Sequence, residues 1–211
     1  MIRTAPFETK LAEYEAWFER YPNVFQSEVE AIRDFLPPGN SRGLQVEIRT
    51  GHYAEALGIK EGTESVAAMR DVAIKKGFEV MDTTAEALPY KDITFDFVLM
   101  NFCISYFNDV QAAFREAQRV LKPGGILIVG FVDRDSPLGT EYEEKRETSP
   151  FYKHANFYAP KTVINWLLET GFTQVKPVQT LFNPLDQIND TQLAKPGYGE
   201  GSYVIIGAIR K

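Results

Sequence analysis

Between residues 44 and 132 the chain alternates short β-branched or aromatic runs with segments of helical periodicity. The runs are Leu44–Ile48, Glu79–Met81, Phe95–Met100 and Ile126–Val132. The helical segments are Val66–Lys76, closed by Gly77, and Val110–Leu121. In the second, Val110, Ala113, Phe114, Ala117, Val120 and Leu121 fall on one stripe, and Asp109 stands at the N-cap. Strands this apolar need cover on both faces. Helical crossovers provide it, so the pattern predicts a doubly wound, mainly parallel sheet.

The flanks extend that plan. Leu11, Tyr14, Trp17 and Phe18 have helical spacing, and Ser27 with Glu30 forms a candidate capping box ahead of Ala31, Ile32 and Phe35. Pro37-Pro38-Gly39-Asn40 ends this helical cap over residues 1–40. A cofactor-sized core follows at 43–133. Residues 134–158 are polar and aromatic and read as an excursion above the sheet, on the side where a substrate would enter. In the last part, 159–211, Pro160 opens a helix that Gly171 closes, and Gln174–Leu181 and Ser202–Ile209 read as strands. Two late strands joined by a loop predict antiparallel pairing at the C-terminal side. The expected fold class is α/β, as one domain over residues 1–211.

Composition narrows the function. A net charge of −6 and a pI near 5.1 argue against nucleic acid as a partner. One cysteine excludes an internal disulfide, and with two histidines it leaves no Cys/His zinc set, so no metal is expected. The N-terminus has no signal-peptide pattern, and the longest apolar run, Ile126–Val132, is too short to span a bilayer. The expectation is a cytoplasmic protein with no membrane partner.

Residues 44–51, Leu-Gln-Val-Glu-Ile-Arg-Thr-Gly, carry the most functional information. An apolar strand ending in an acid normally runs into glycines, so that backbone can approach a ligand at the next helix. Here Arg49 stands among them and only Gly51 remains. Other segments supply context: Thr84-Ala85-Glu86-Ala87-Leu88-Pro89-Tyr90, Phe95-Asp96-Phe97-Val98-Leu99-Met100 and Leu121-Lys122-Pro123-Gly124-Gly125. In this order and spacing the chain resembles the class I S-adenosylmethionine (SAM)-dependent methyltransferases, specifically the small domain of ubiquinone-biosynthesis type.

The resemblance implies SAM as cofactor and methyl transfer to a small-molecule acceptor. It implies cofactor contacts from Glu47, Arg49, Gly51, Glu64, Thr84, Ala85, Glu86 and Asn101. Glu64 aligns with the acid that takes the ribose hydroxyls, and Ala85-Glu86 with the loop beside the adenine. Tyr14, Trp17, Tyr152, His154 and Tyr198 are the candidates for holding the acceptor, with Tyr158 nearby; no residue is assigned to catalysis. Cys103 reads as a small buried residue. The first motif departs from the family pattern by about two residues and by Arg49, whose charge opposes a sulfonium unless it turns to the SAM carboxylate. Two outcomes stay open: weakened SAM binding, or a binding or scaffold protein that no longer uses SAM, with an anionic ligand held near Arg49.

Overall fold

The computed structural model describes residues 5–211. Eight strands form one sheet: β1 Gly43–Val46, β2 Glu61–Thr63, β3 Glu79–Met81, β4 Phe95–Asn101, β5 Leu121–Val132, β6 Phe172–Thr180, β7 Lys195–Pro196 and β8 Tyr203–Arg210. Their order is β3-β2-β1-β4-β5-β8-β6-β7. The β3-β2-β1-β4-β5 half is parallel, whereas β8 runs antiparallel to both β5 and β6, and β7 antiparallel to β6. The strand order reverses between β1 and β4, and ligands of open α/β sheets bind at the carboxyl ends of strands at that point.

The α-helices among the described residues are α1 Ala5–Thr9, α2 Leu11–Arg20, α3 Pro22–Arg33, α4 His52–Leu57, α5 Ala67–Lys75, α6 Val110–Val120, α7 Pro137–Glu144 and α8 Pro160–Glu169. The period-2 alternation of the central strands feeds two cores. Val98, Met100, Leu127 and Val129 point to one face, under Phe114 of α6 and Leu167 of α8. Phe97, Leu99 and Ile128 point to the other, under Val29 and Ile32 of α3 and Leu57 of α4. As expected, Asp109 caps α6, its Oδ1 accepting from the Ala112 amide at 2.9 Å.

One local expectation is corrected. The Ser27–Glu30 capping box does not form, because α3 starts earlier, with Pro22 in its first turn. Ser27 lies inside the helix, donates to the Asn23 carbonyl at 2.6 Å and accepts from the Gln192 amide at 2.8 Å. Within the segment 134–158, Ser136 caps α7 by accepting from the Gly139 amide. The second strand, β2, is only three residues long. Its Gly62 is required by packing: a Cβ there would lie 2.7 Å from Ile48 Cδ1. β7, a two-residue strand, has no pattern of its own in the sequence.

Candidate active site

The loop between β1 and α4 keeps the shape that glycines would give it. Glu47 and Arg49 both take left-handed backbone angles, φ 53° and 56°, and Gly51 follows at φ 92°. For non-glycine residues this conformation costs roughly 1–2 kcal/mol each. The side chains offset that cost with a buried charge cluster. Arg49 Nη1 donates to Glu47 Oε2 at 3.0 Å and to Glu64 Oε1 at 3.1 Å, and the Arg49 amide donates to Glu64 Oε2 at 2.8 Å. Val66 N donates to Glu64 Oε1 at 2.9 Å, and Ser65 Oγ to Glu47. Phe7 of α1 covers the guanidinium, 4.2 Å from ring centroid to Cζ.

Electrostatics follow from this packing. Burial works against the charge of Arg49, but Glu64 and Glu47 outweigh it and keep the guanidinium protonated. Burial and the negative charge of Glu64 push the Glu47 carboxyl upward against the pull of Arg49. Two carboxylates therefore share one cation.

Beside this cluster lies a cavity of about 200 Å³. Its floor is the carboxyl end of β1 and β4, with Gln45, Glu47, Arg49 and Asn101; its cover is α2, with Tyr14, Trp17 and Phe18. Tyr142, Tyr152 and Phe157 close the side formed by the excursion. Tyr142 and Tyr152 stack with centroids 4.1 Å apart. Three polar atoms of the floor are buried without a hydrogen-bond partner: Arg49 Nη2, Asn101 Nδ2 and Gln45 Oε1. Asn101 is fixed by its other end, where Tyr203 Oη donates to Oδ1 at 2.6 Å.

Glu28 of α3 also lines the cavity and is missing from the sequence-based candidates. It is 2% exposed, and its Oε2 accepts from Tyr53 Oη. Burial pushes its carboxyl up to about 8, against the opposing effect of that bond. No motif flags it. The only signal was an acid at a position buried between Val24, Val29 and Ile32, on a helix read for its apolar stripe.

Of the predicted residues, Glu47, Arg49, Asn101, Tyr14, Trp17 and Tyr152 meet at the cavity. Glu64 is fully buried behind Arg49. Gly51 begins α4 against Phe78. Ala85 lies in the core and Thr84 accepts from Ala87 N through its carbonyl. Glu86 Oε1 accepts from the amides of Asn108 and Asp109, tying its loop to the start of α6. His154 and Tyr198 do not line the cavity; Tyr198 is 44% exposed in the loop before β8. Tyr158 packs on Trp166 instead. Cys103 is fully buried, and burial raises its thiol pKa well above the usual range.

The relatives of the chain decide its family. The family described as "Methyltransferase domain" matches residues 36–129. A crystal structure from Thermotoga maritima, described as a SAM-dependent methyltransferase and possible histamine N-methyltransferase, superposes with a TM-score of 0.95 at 41% identity. It covers 99% of this chain and 100% of that one. The chain belongs to the class I SAM-dependent methyltransferases. An uncharacterised protein of Methanocaldococcus jannaschii is 41% identical over 202 residues, 96% of this chain and 97% of that protein. The Haemonchus contortus phosphoethanolamine N-methyltransferase 2, solved with SAM, shares the fold with a TM-score of 0.68 at 15% identity, over 100% of this chain and 60% of that one. The finer likeness to the ubiquinone/menaquinone C-methyltransferase of Klebsiella pneumoniae spans only 34% of this methyltransferase, so the subfamily reading gives way to the broader one. Among the described residues no helix is long and apolar enough to cross a membrane.

Proposed function

We propose that this methyltransferase uses SAM to methylate a small, largely apolar molecule held in the cavity between α2, α3 and the excursion. One observation carries the reading: two donors, Arg49 Nη2 and Asn101 Nδ2, and one acceptor, Gln45 Oε1, lie buried and unpaired at the same floor. Leaving buried polar groups unpaired costs about 1–3 kcal/mol each. The amino-acid end of SAM, with a carboxylate and an ammonium, has the complementary set, so the residues fit that end of the cofactor. When bound, SAM supplies a methyl group already activated on a sulfonium. Arg49 is no obstacle to it electrostatically, because Glu47 and Glu64 balance its charge.

The ribose end fits on a condition. Glu64 stands at the end of β2, where the ribose-binding acid is expected, but its bonds go to Arg49 and Val66. Phe7 packs with Val66 and Met69 over the same place. Ribose recognition by Glu64 therefore requires α1 and Arg49 to yield. Ala85 and Glu86 remain the candidates beside the adenine through their backbone. The rest of the work is positioning: α2 and the excursion exclude water, and the aromatic walls orient the acceptor. The alternative of an anion pocket at Arg49 is weakened by the two carboxylates that already surround it.

Calorimetry with S-adenosylhomocysteine tests the reading. The wild-type protein should bind it, and Asn101→Ala should weaken binding about tenfold, the equivalent of about 1.4 kcal/mol. Absence of binding by the wild-type protein at millimolar ligand would remove SAM from the account.

A further inference from the structure

We infer that the acceptor presents a basic nitrogen to this cavity and that Glu28 is the group that binds it. Calling the ligand an acceptor rests on the function proposed above; the binding chemistry does not. Glu28 reaches the cavity from α3, away from the Glu47–Arg49–Glu64 cluster that serves the cofactor side. Its Oε2 is held by Tyr53 Oη, which leaves Oε1 to the cavity. The rings of Trp17, Phe18, Tyr53 and Phe102 line the same cavity. Trp17 and Phe18 meet edge-on at 5.1 Å, and Phe18 and Tyr53 at 6.0 Å. Aromatic faces beside a carboxylate form a receptor for an organic cation.

The charge inventory points the same way. The charged groups lining the cavity are Glu13, Glu28, Glu47 and Arg49, and Arg49 is paired with Glu47 and with Glu64 behind it. Among these described residues carboxyl groups outnumber the one guanidinium, so an anionic ligand meets no free cation, whereas a cationic one pairs with Glu28 and draws off the proton that burial otherwise holds there. An ammonium satisfies both the carboxylate and the rings. Glu28 also has a chemical use there: it accepts a proton from the ammonium, breaking N–H and forming O–H, and leaves the nitrogen lone pair free to react.

Three probes of one shape test this by calorimetry on the full chain: phenethylamine, 2-phenylethanol and 3-phenylpropionate. The wild-type protein should bind the amine about tenfold or more tighter than the alcohol, and the carboxylate weakest. Glu28→Gln should erase the preference for the amine while leaving the alcohol within about threefold. Should that variant fail to fold, Glu28→Asp serves instead; it keeps the charge but withdraws it by one methylene, and should lower amine affinity while keeping some preference. Equal binding of amine and alcohol by the wild-type protein, an amine preference that survives Glu28→Gln, or an amine affinity unchanged in Glu28→Asp would each overturn the inference. Titration with S-adenosylhomocysteine separates the two readings. An amine preference without cofactor binding would sink the methyltransfer reading alone; cofactor binding without the preference would sink only the role of Glu28.

Discussion

Glu64, behind Arg49, and Glu28, lining the cavity, are both buried carboxylates, 0% and 2% exposed, yet their bonding differs. Glu64 accepts from two backbone amides and from a guanidinium. Glu28 accepts from a single phenol. Desolvating a carboxylate is costly, and the two sites meet the cost differently. At Glu64 a guanidinium and two backbone amides stand in for the water that burial removes. At Glu28 burial raises the carboxyl pKa to about 8, so near neutral pH the site largely avoids the charge. The first carboxylate has its partners within the protein and supports the fold; the second has a single partner and invites a ligand.

The comparison breaks most directly at Arg49. Replacing it with Leu leaves Glu47 and Glu64 buried without a counter-ion, which should cost about 3–5 kcal/mol in urea unfolding at pH 7. Arg49→Gly should cost about 1 kcal/mol less, because glycine accepts the left-handed backbone there without strain. A loss below about 1 kcal/mol in both variants would show that the cluster does not support the fold.

The opposite sign is expected at Glu28. Its carboxyl is raised in the folded protein, so between about pH 4.5 and 8 the unfolded chain has released a proton that the folded chain retains. Folding stability must then fall as pH rises through that window. Glu28→Gln removes this dependence and still accepts from Tyr53. Relative to wild type it should gain stability progressively above pH 4.5, reaching on the order of a few kcal/mol by pH 8, with no gain below the window. Thermal melts across pH 4–9 read this, and parallel pH profiles for the two proteins would refute it.

The two carboxylates were unequally legible in the sequence. Glu64 aligns with a family acid, so its location could be read even though the strand before it, with Glu61 and Gly62, carries no strand pattern and is only three residues long. Its engagement by Arg49 could not, since this depends on left-handed angles at Glu47 and Arg49 that no residue preference there announces. The sheet core was legible for a simpler reason: Phe95–Asn101 carries its burial as a near-continuous apolar run and Val110–Val120 as a period of 3.6. Glu28 gave no such signal. One acid on an amphipathic helix is normally on the solvated face, and only the packing of α3 against Tyr53 turns it inward. Tyr152 and His154 show the same limit, for they are two residues apart in one aromatic segment, and only Tyr152 reaches the cavity.

Phe7 tests whether the saturated side is also a barrier. Its ring lies over Arg49 and against Tyr106, centroids 5.3 Å apart, and anchors α1 above Val66. Phe7→Ala should lower stability by about 1–3 kcal/mol through lost burial and ring contacts. If α1 yields when cofactor binds, the same variant should bind S-adenosylhomocysteine more tightly, by about two- to tenfold, because less packing opposes entry. Weaker binding in Phe7→Ala would mean that the ring contacts the cofactor and does not stand in its way.

The smallest effect is expected at Glu61, three residues before Glu64 and at the start of the same strand. Glu61 also meets an arginine twice: Arg42 Nε donates at 2.6 Å and Nη2 at 2.9 Å. The geometry is at least as good as at Glu64, but the Arg42 side chain is 54% exposed, so water screens the pair and competes for both partners. Glu61→Ala should therefore cost less than about 1 kcal/mol, and less again in 1 M salt, with no change in S-adenosylhomocysteine affinity. Glu64→Ala should weaken that affinity if Glu64 takes the ribose. Equal effects of the two substitutions on binding would show that burial of the ion pair, and its position at the end of β2, are not what separates a site residue from a surface one.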